Sequence, residues 1–373
     1  LAFSVSNLGP KTFQRVLNGF ATLEKAWNGT KEEYQKLGIE KLTYKKFDEF
    51  RKSFDIEKYV LGLEKSKVSF VSILDKQYPD SLKKLDNPPI GLFCKGNIDL
   101  LRHSEFISES QKIPDRVRDD INLKIAVVGT RKVTQYGKNV TEALVVELVQ
   151  NGICIVSGLA LGVDGVAHRT AVLNKGLTIA VLACGVDCCL PSENYSLYSN
   201  ILENDGMIMS EYPLSQPPNK GTFLARNRII AALSDGVLVT EAAEDSGSLV
   251  TADWGLKLGK KVFAVPGPIT SRMSDGSLKL LKSGATLVST ANDILREFSI
   301  SNSQFSNKSK IEKLKLSKEE RKIVRLLENE QLTIDEIAKK TKLPVSKLFI
   351  CLSNLELKAI IKNNQGEFAL LAL

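Results

Sequence analysis

The stretch KIAVVGTRKVTQYGK, residues 124–138, carries an unbroken apolar run into a glycine, a polar turn and then helical spacing. A strand that is apolar throughout, rather than alternating, needs cover on both faces, and a parallel sheet with helices above and below supplies it. At its tip stand Gly129, Thr130 and Arg131. A dinucleotide-binding turn would continue as G-x-G-x-x-G, and the two further glycines are missing, so no nicotinamide or flavin cofactor is expected. Thr130 and Arg131 instead offer a hydroxyl, backbone N–H groups and a planar guanidinium, which suit phosphate oxygens. The bland alternative for Arg131 is a pairing with a neighbouring carboxylate.

Working outward, the same kind of run recurs as ICIVSG (153–158), TIAVLA (178–183), MIMSE (207–211), GVLVTEA (236–242) and KVFAVPG (261–267), with helical segments between. The pattern predicts an α/β fold, a Rossmann-like doubly wound and mostly parallel sheet over 124–298, closing with ATLVS and the helix ANDILREF. The expected division is a small helical domain of sterile-alpha-motif or helix-hairpin-helix type over 1–62, an extended sheet domain over 63–298, a linker over 299–315, and a winged-helix-like domain over 316–373. Residues 103–122 are expected to form an exposed loop, and YPD and NPP punctuate edge strands before it. The final 73 residues hold 14 Lys and Arg against 9 Asp and Glu, a mildly cationic tail.

Ligands of such sheets sit at the carboxyl ends of the strands. At the second tip, SGLALGVDGVAHR (157–169), Ser157 and Gly158 begin a small-residue loop, and Asp164 is expected to cap the helix that follows. Ser157, Asp164 and His168 could suggest a nucleophilic trio, but no nucleophile elbow surrounds Ser157. A cap and a helix-surface histidine explain the pair more simply. In PPNKGTFLARNRIIAALSDG (217–236), Lys220 and Phe223 precede Arg226, Asn227 and Arg228. Cations interleaved with one aromatic match a single strand of nucleic acid, with charge for phosphates and a ring for a base. Core packing is the alternative for Phe223. In TEAAEDSGSLVTA (240–252), Gly247 and Ser248 open a helix and offer a further phosphate contact or a brace.

Composition bounds the partners. The chain has 373 residues and a formal net charge of +8, which favours polyanions without proving one. Its six cysteines are scattered and only His103 and His168 exist, so ACGVDCC lacks a second ligand pair and no metal is expected. No run of 18 apolar residues and no signal-peptide pattern occurs, so the expectation is a cytoplasmic protein with no membrane partner. The absent initiator Met suggests that a few N-terminal residues were trimmed or left out.

Taken in order, VVGTRKVTQYGK, IVSGLALGVDGVAH, CGVDCCLPSENYSLY, SEYPLSQPPNKGTFLARNRIIAALSDGVLVTEAAEDSGSLVTA and VFAVPGPIT resemble the DNA-processing protein A (DprA/Smf) family. The resemblance implies a non-enzymatic protein that binds single-stranded DNA, protects it, and loads the RecA recombinase onto it during natural transformation. It also implies a homodimer formed through the Rossmann-like domain. The family's Gly-Ser-Arg loop falls on Gly129, Thr130 and Arg131. Its Lys and aromatic fall on Lys220 and Phe223, and its Arg-Asn-Arg on Arg226, Asn227 and Arg228. The chain departs from the pattern at Leu278, where the family has Asn.

Two rival readings stand beside this one. A phosphoribohydrolase of the lysine-decarboxylase-like "LOG" type shares the sheet but needs a Glu three residues after its motif Thr. Here Leu249, Val250 and Thr251 follow Ser248. A sequence-specific regulator led by the winged helix would bind duplex DNA instead.

Overall fold

The structure, a computed structural model, describes residues 1–6, 8–101, 123–298, 316–327, 332–341, 343–358, 360–364 and 367–370. The predicted loop over 103–122 and linker over 299–315 lie outside these. The chain divides into two compact units, Leu1–Ala291 and Asn292–Leu373.

The first unit opens with short helices α1 (Ala2–Val5), α2 (Pro10–Gly19), α3 (Leu23–Trp27), α4 (Lys31–Lys36), α5 (Lys41–Ser53) and α6 (Ile56–Lys65). Each is too short to be stable alone, so their common core has to hold them. Phe3, Phe13, Tyr34 and Phe47 are buried there, with the Phe3 and Phe47 rings stacked at 5.5 Å. Thr30 caps α4 in a reciprocal box with Glu33, whose carboxyl that contact holds below the usual range.

Then come β1 (Ser69–Ser72), α7 (Asp80–Lys83), β2 (Gly91–Gly96), β3 (Lys124–Val128), α8 (Gln135–Gln150), β4 (Cys154–Ser157), α9 (Val163–Leu173), β5 (Thr178–Val181), α10 (Tyr195–Glu203), β6 (Met207–Ser210), α11 (Lys220–Leu233), β7 (Gly236–Val239), α12 (Ser248–Lys257), β8 (Lys261–Ala264), α13 (Asp275–Lys282) and β9 (Thr286–Leu287); α14 (Ala291–Glu297) starts at the boundary. All nine strands form one sheet in the order β1-β2-β6-β5-β4-β3-β7-β8-β9. From β6 to β9 every pairing is parallel, while β1 with β2 and β2 with β6 are antiparallel. The mixed α/β class with a mostly parallel sheet is therefore as the sequence predicts. Strands β3 to β7 are buried at every position, which explains their continuous apolar runs. Each buried Val or Ile there contributes about 1.5–3 kcal/mol.

The order fixes where a site can form. From β3 the chain steps through β4 and β5 to β6 in one direction, then returns to β7 and steps through β8 to β9 in the other. With right-handed crossovers, α8, α9 and α10 cover one face and α11, α12 and α13 the other. Consistently, α8 packs on α9 and α11 on α12. Strands β3 and β7 are neighbours whose following helices leave to opposite faces, so a crevice opens outside their carboxyl ends.

The second unit holds α15 (Lys318–Leu327), β10 (Leu332–Thr333), α16 (Ile334–Thr341), α17 (Val345–Leu357), β11 (Ile361–Asn364) and β12 (Glu367–Leu370). Three helices and a sheet in the order β10-β12-β11 make the winged-helix arrangement. The strand β11, IKNN, is polar and went unread in the sequence. It forms because it pairs antiparallel with β12.

Candidate nucleic-acid interface

The crevice is built from backbone outward. Val128 of β3 pairs with Val239 of β7, and beyond this register the Thr130 N–H donates to the Glu241 carbonyl at 2.7 Å. Glu241 is 3% exposed, and its carboxylate accepts from the Thr134 N–H at 2.8 Å and the Thr134 hydroxyl at 2.5 Å. Thr134 in turn caps α8 through the Gly137 N–H. The turn 129–134 is thus clamped from β7. Sequence reading missed Glu241, and an acid two residues past the fully apolar strand β7 was the available signal.

Small residues let the next tip close on this turn. The Val163 N–H donates to the Thr130 carbonyl at 3.1 Å, and a Cβ on Gly162 would lie 2.2 Å from that same oxygen. Gly162 also has φ of +78°, so its position excludes a side chain twice over. A Cβ on Gly129 would meet Val163 and the Glu241 carbonyl.

Arg131 is exposed, and its guanidinium carbon lies 4.8 Å from the ring centroid of Phe223. The ring is half-buried, one turn along α11 from the exposed Lys220. The turn into α11 is held by a reciprocal box between Asn219 and Thr222. Arg131, Lys220 and Phe223 are the predicted residues that face solvent together at the crevice. Gly247, exposed, precedes α12, and Ser248 is buried with its hydroxyl bonded to that of Ser246 at 2.8 Å.

The side chains of Thr130, Ser157, Arg226, Asn227 and Arg228 are buried, where the sequence suggested solvated groups. The helix begins at Lys220 rather than after the cations, and every residue from Arg226 to Leu233 is buried. A helix buried all round must give its polar side chains partners. Arg226 donates to the carbonyls of Gly158 at 2.6 Å and Val181 at 2.5 Å, which ties the tips of β4 and β5. Asn227 donates to the Gly247 carbonyl at 3.1 Å, and Arg228 pairs with Glu211 at 2.6 Å. Ser157 is fully buried and donates to the Val127 carbonyl at 2.7 Å. The Gly158 N–H donates to Asp164 at 3.2 Å, and a Cβ on Gly158 would strike the Arg226 guanidinium. The Thr130 hydroxyl accepts from the Lys132 N–H at 3.1 Å and contacts the Met273 sulfur at 3.9 Å. These groups brace the tips.

Two further expectations change. Asp164 lies within α9, behind the Gly162 cap, and reaches back to the strand-tip loop rather than capping its helix. Burial raises its carboxyl above the usual range, against the pull of the Arg226 charge and its hydrogen bonds. His168 is not on the helix surface. It is fully buried, with Nδ1 bonded to the Thr178 hydroxyl at 2.8 Å. Thr178 already donates to the Ile155 carbonyl, so Nδ1 carries the proton and donates. Ser157, Asp164 and His168 are each spent on structure, and none forms a nucleophile–base pair. Burial also pushes the thiols of Cys94, Cys154 and Cys184 up to about 12, far from a thiolate at neutral pH.

The family pattern described as DNA recombination-mediator protein A matches residues 117–299, and the DprA winged helix domain matches 312–366. DNA processing protein DprA of Streptococcus pneumoniae is 41% identical over 245 residues, 66% of this chain and 79% of that protein. The Bacillus subtilis DprA is 38% identical over 239 residues, 64% of this chain and 74% of that protein. Among solved structures, DprA of Streptococcus pneumoniae superposes with a TM-score of 0.66 at 34% identity, covering 79% of this chain and 95% of that one. A structure of DNA processing protein A from Helicobacter pylori, described for its single-stranded DNA binding mode, gives a TM-score of 0.52 at 33% identity over 62% of this chain and 96% of that one.

Proposed function

Because this chain belongs to the DprA/Smf family of DNA recombination-mediator proteins, we propose that it binds single-stranded DNA at the β3–β7 crevice and delivers that strand to the RecA recombinase. The observation that carries the reading is the Arg131 guanidinium poised 4.8 Å over Phe223 at an open strand tip, with exposed Lys220 a turn away. Arg131 and Lys220 supply charge for phosphates, and the Phe223 ring offers a face to an unpaired base. A duplex hides its base faces, so the pair favours a single strand. Gly247 gives the backbone room for close approach beside them, and a Cβ there would meet nothing within 4 Å. Arg226, Asn227, Arg228, Ser157 and Gly158 act by holding these groups in place.

The role is binding without bond cleavage. Glu241, the acid nearest the turn, has its carboxylate occupied by Thr134. Ser248 is followed by Leu249, Val250 and Thr251, so the Glu that the phosphoribohydrolase motif needs after its Thr is missing. The duplex reading is disfavoured by α17, whose exposed side shows Phe349 and Ile350, while Lys347 lies 3.7 Å from Glu319. A cytoplasmic homodimer acting in natural transformation completes the proposal. No helix among the described residues is long and apolar enough to cross a membrane.

The test is salt-titrated binding of single and double strands to the wild type and to Arg131→Ala. The variant should bind every single strand more weakly, with a salt slope reduced by about 0.7 for one lost phosphate contact. Equal binding of duplex, or release of free nucleobase from nucleoside monophosphates, overturns the reading. Sedimentation of the wild type tests the dimer, and co-precipitation with purified RecA tests the handover.

A further inference from the structure

We propose that the loop 266–274 is a second contact point for the same DNA strand, with Arg272 taking a phosphate and Ile269 packing against a base or sugar. The inference rests on the single-strand reading above and extends its site across the sheet, beyond β7 to the loop that follows β8.

The loop is fastened to the crevice at both ends. The Val265 N–H donates to the Val239 carbonyl at 3.0 Å, and the Gly276 N–H donates to the Ala242 carbonyl at 2.8 Å. Two side-chain ties join it to the β3 turn and the helix that follows: the Tyr136 hydroxyl of α8 donates to the Pro266 carbonyl at 2.6 Å, and the Thr130 hydroxyl of the turn meets the Met273 sulfur at 3.9 Å. Internally, the Ser271 N–H donates to the Pro268 carbonyl and the Ser274 N–H to the Ser271 carbonyl. Gly267 closes the loop, since a Cβ there would lie 2.2 Å from the Ser274 hydroxyl oxygen. A segment tied this often holds its backbone in place without a ligand, which lowers the entropy cost of binding one.

The loop displays an apolar side chain beside a cation. Ile269 is 87% exposed, more than any other large apolar side chain among the described residues. Arg272 is exposed beside Met273 and has no ion pair among the described residues. Nearby cations are differently placed: Lys138 lies 3.9 Å from Glu142, and Lys279 lies 3.0 Å from Glu244. Lys279 thereby offsets the acid that would otherwise repel a phosphate at this end. Arg131, stacked on Phe223, and Arg272 have no ion pair among the described residues, and they adjoin the touching pair Thr130 and Met273. At ordinary strand spacing the track from the β4 tip, which Arg226 fastens under α11, to the β8 tip spans about 14 Å. An extended strand lying on Phe223 and Arg131 reaches Arg272 only if it continues in that direction, so the contact requires length.

The experiment measures anisotropy of labelled thymidine oligomers of about 5 and about 16 nucleotides, spanning the usual range of single-strand site sizes. It uses the full chain as wild type, Arg272→Ala, Arg272→Lys, Ile269→Ser and Arg131→Ala, each checked for unchanged melting. Arg272→Ala should weaken the longer oligomer about three- to tenfold and lower its salt slope by about 0.7, with a smaller effect on the shorter one, and Arg272→Lys should recover most of the loss. Ile269→Ser should weaken the longer oligomer at unchanged slope. If Arg272→Ala matches the wild type at both lengths while Arg131→Ala is impaired, the inference fails and the crevice reading stands. If Arg131→Ala also matches the wild type, the crevice reading fails and this inference falls with it.

Discussion

Arg228 donates to Glu211 at 2.6 Å while the two side chains are only 3% and 9% exposed, a buried ion pair at the root of the helix that presents Phe223. Burial raises the Glu211 carboxyl, and the Arg228 charge opposes that rise. Nε and Nη1 of Arg228 and Oε1 of Glu211 have no hydrogen-bond partner among the described residues, so the pair is under-satisfied as well as desolvated.

Removing one member therefore costs more than the pair contributes. Arg228→Met should destabilise the fold by about 3–5 kcal/mol, and Arg228→Met with Glu211→Leu should restore most of it. In the single variant the unpaired carboxyl titrates above its unfolded value. Its stability should be greatest below that unfolded value and fall as pH rises through the raised folded one. Urea midpoints across pH check both; a single variant no weaker than the double one refutes the account.

His168 makes the first unit acid-sensitive. Burial first, and then the Arg226 charge, push its imidazole down to about 3, against a weaker upward pull from the Ser157 backbone. Between the unfolded value near 6.5 and about 3, only the unfolded chain takes the proton. Stability should drop by about 1.4 kcal/mol per pH unit in that window. His168→Gln should flatten this slope in urea titrations, and an unchanged slope would show that other groups set it.

Loop closure, not charge, is the expected failure in two further variants. Gly162→Ala forces a Cβ against the Thr130 carbonyl at φ of +78°, and Glu241→Ala removes both acceptors of Thr134. Each should lower stability by about 1–3 kcal/mol and weaken single-strand binding, although neither residue faces the strand. Thermal melting paired with anisotropy measures this; intact binding at reduced stability would uncouple the clamp from the site.

Phe223 and Arg131 should separate by their salt behaviour. Phe223→Leu keeps an apolar filler on α11 and should lose about 1–3 kcal/mol of binding free energy with the salt slope unchanged, because stacking releases no counterion. Arg131→Ala should shift the slope. A slope change in Phe223→Leu, measured by the same titration, would mean the ring acts only by positioning Arg131.

The parallel sheet was legible because burial on both faces leaves no alternation, as in Ile125–Val128, so composition along the strand announces its environment. The chemistry of the crevice was legible as residue types: a glycine-led tip with an arginine, and a lysine near an aromatic. What the chain order withheld was direction. Arg226 and Arg228 read as cations for a phosphate because an arginine is usually solvated, yet carbonyls on two other strands and an acid from β6's end make burial tolerable for them. Glu241 read as nothing until its carboxylate met Thr134, and the tie from Thr130 to Met273 joins segments far apart in sequence. Local pattern decides which segments become strands and helices, because period and apolar content act on neighbours. Which charges stay in water is decided by partners from distant segments, since desolvation is tolerated only where the fold supplies an opposite charge or a hydrogen-bond acceptor.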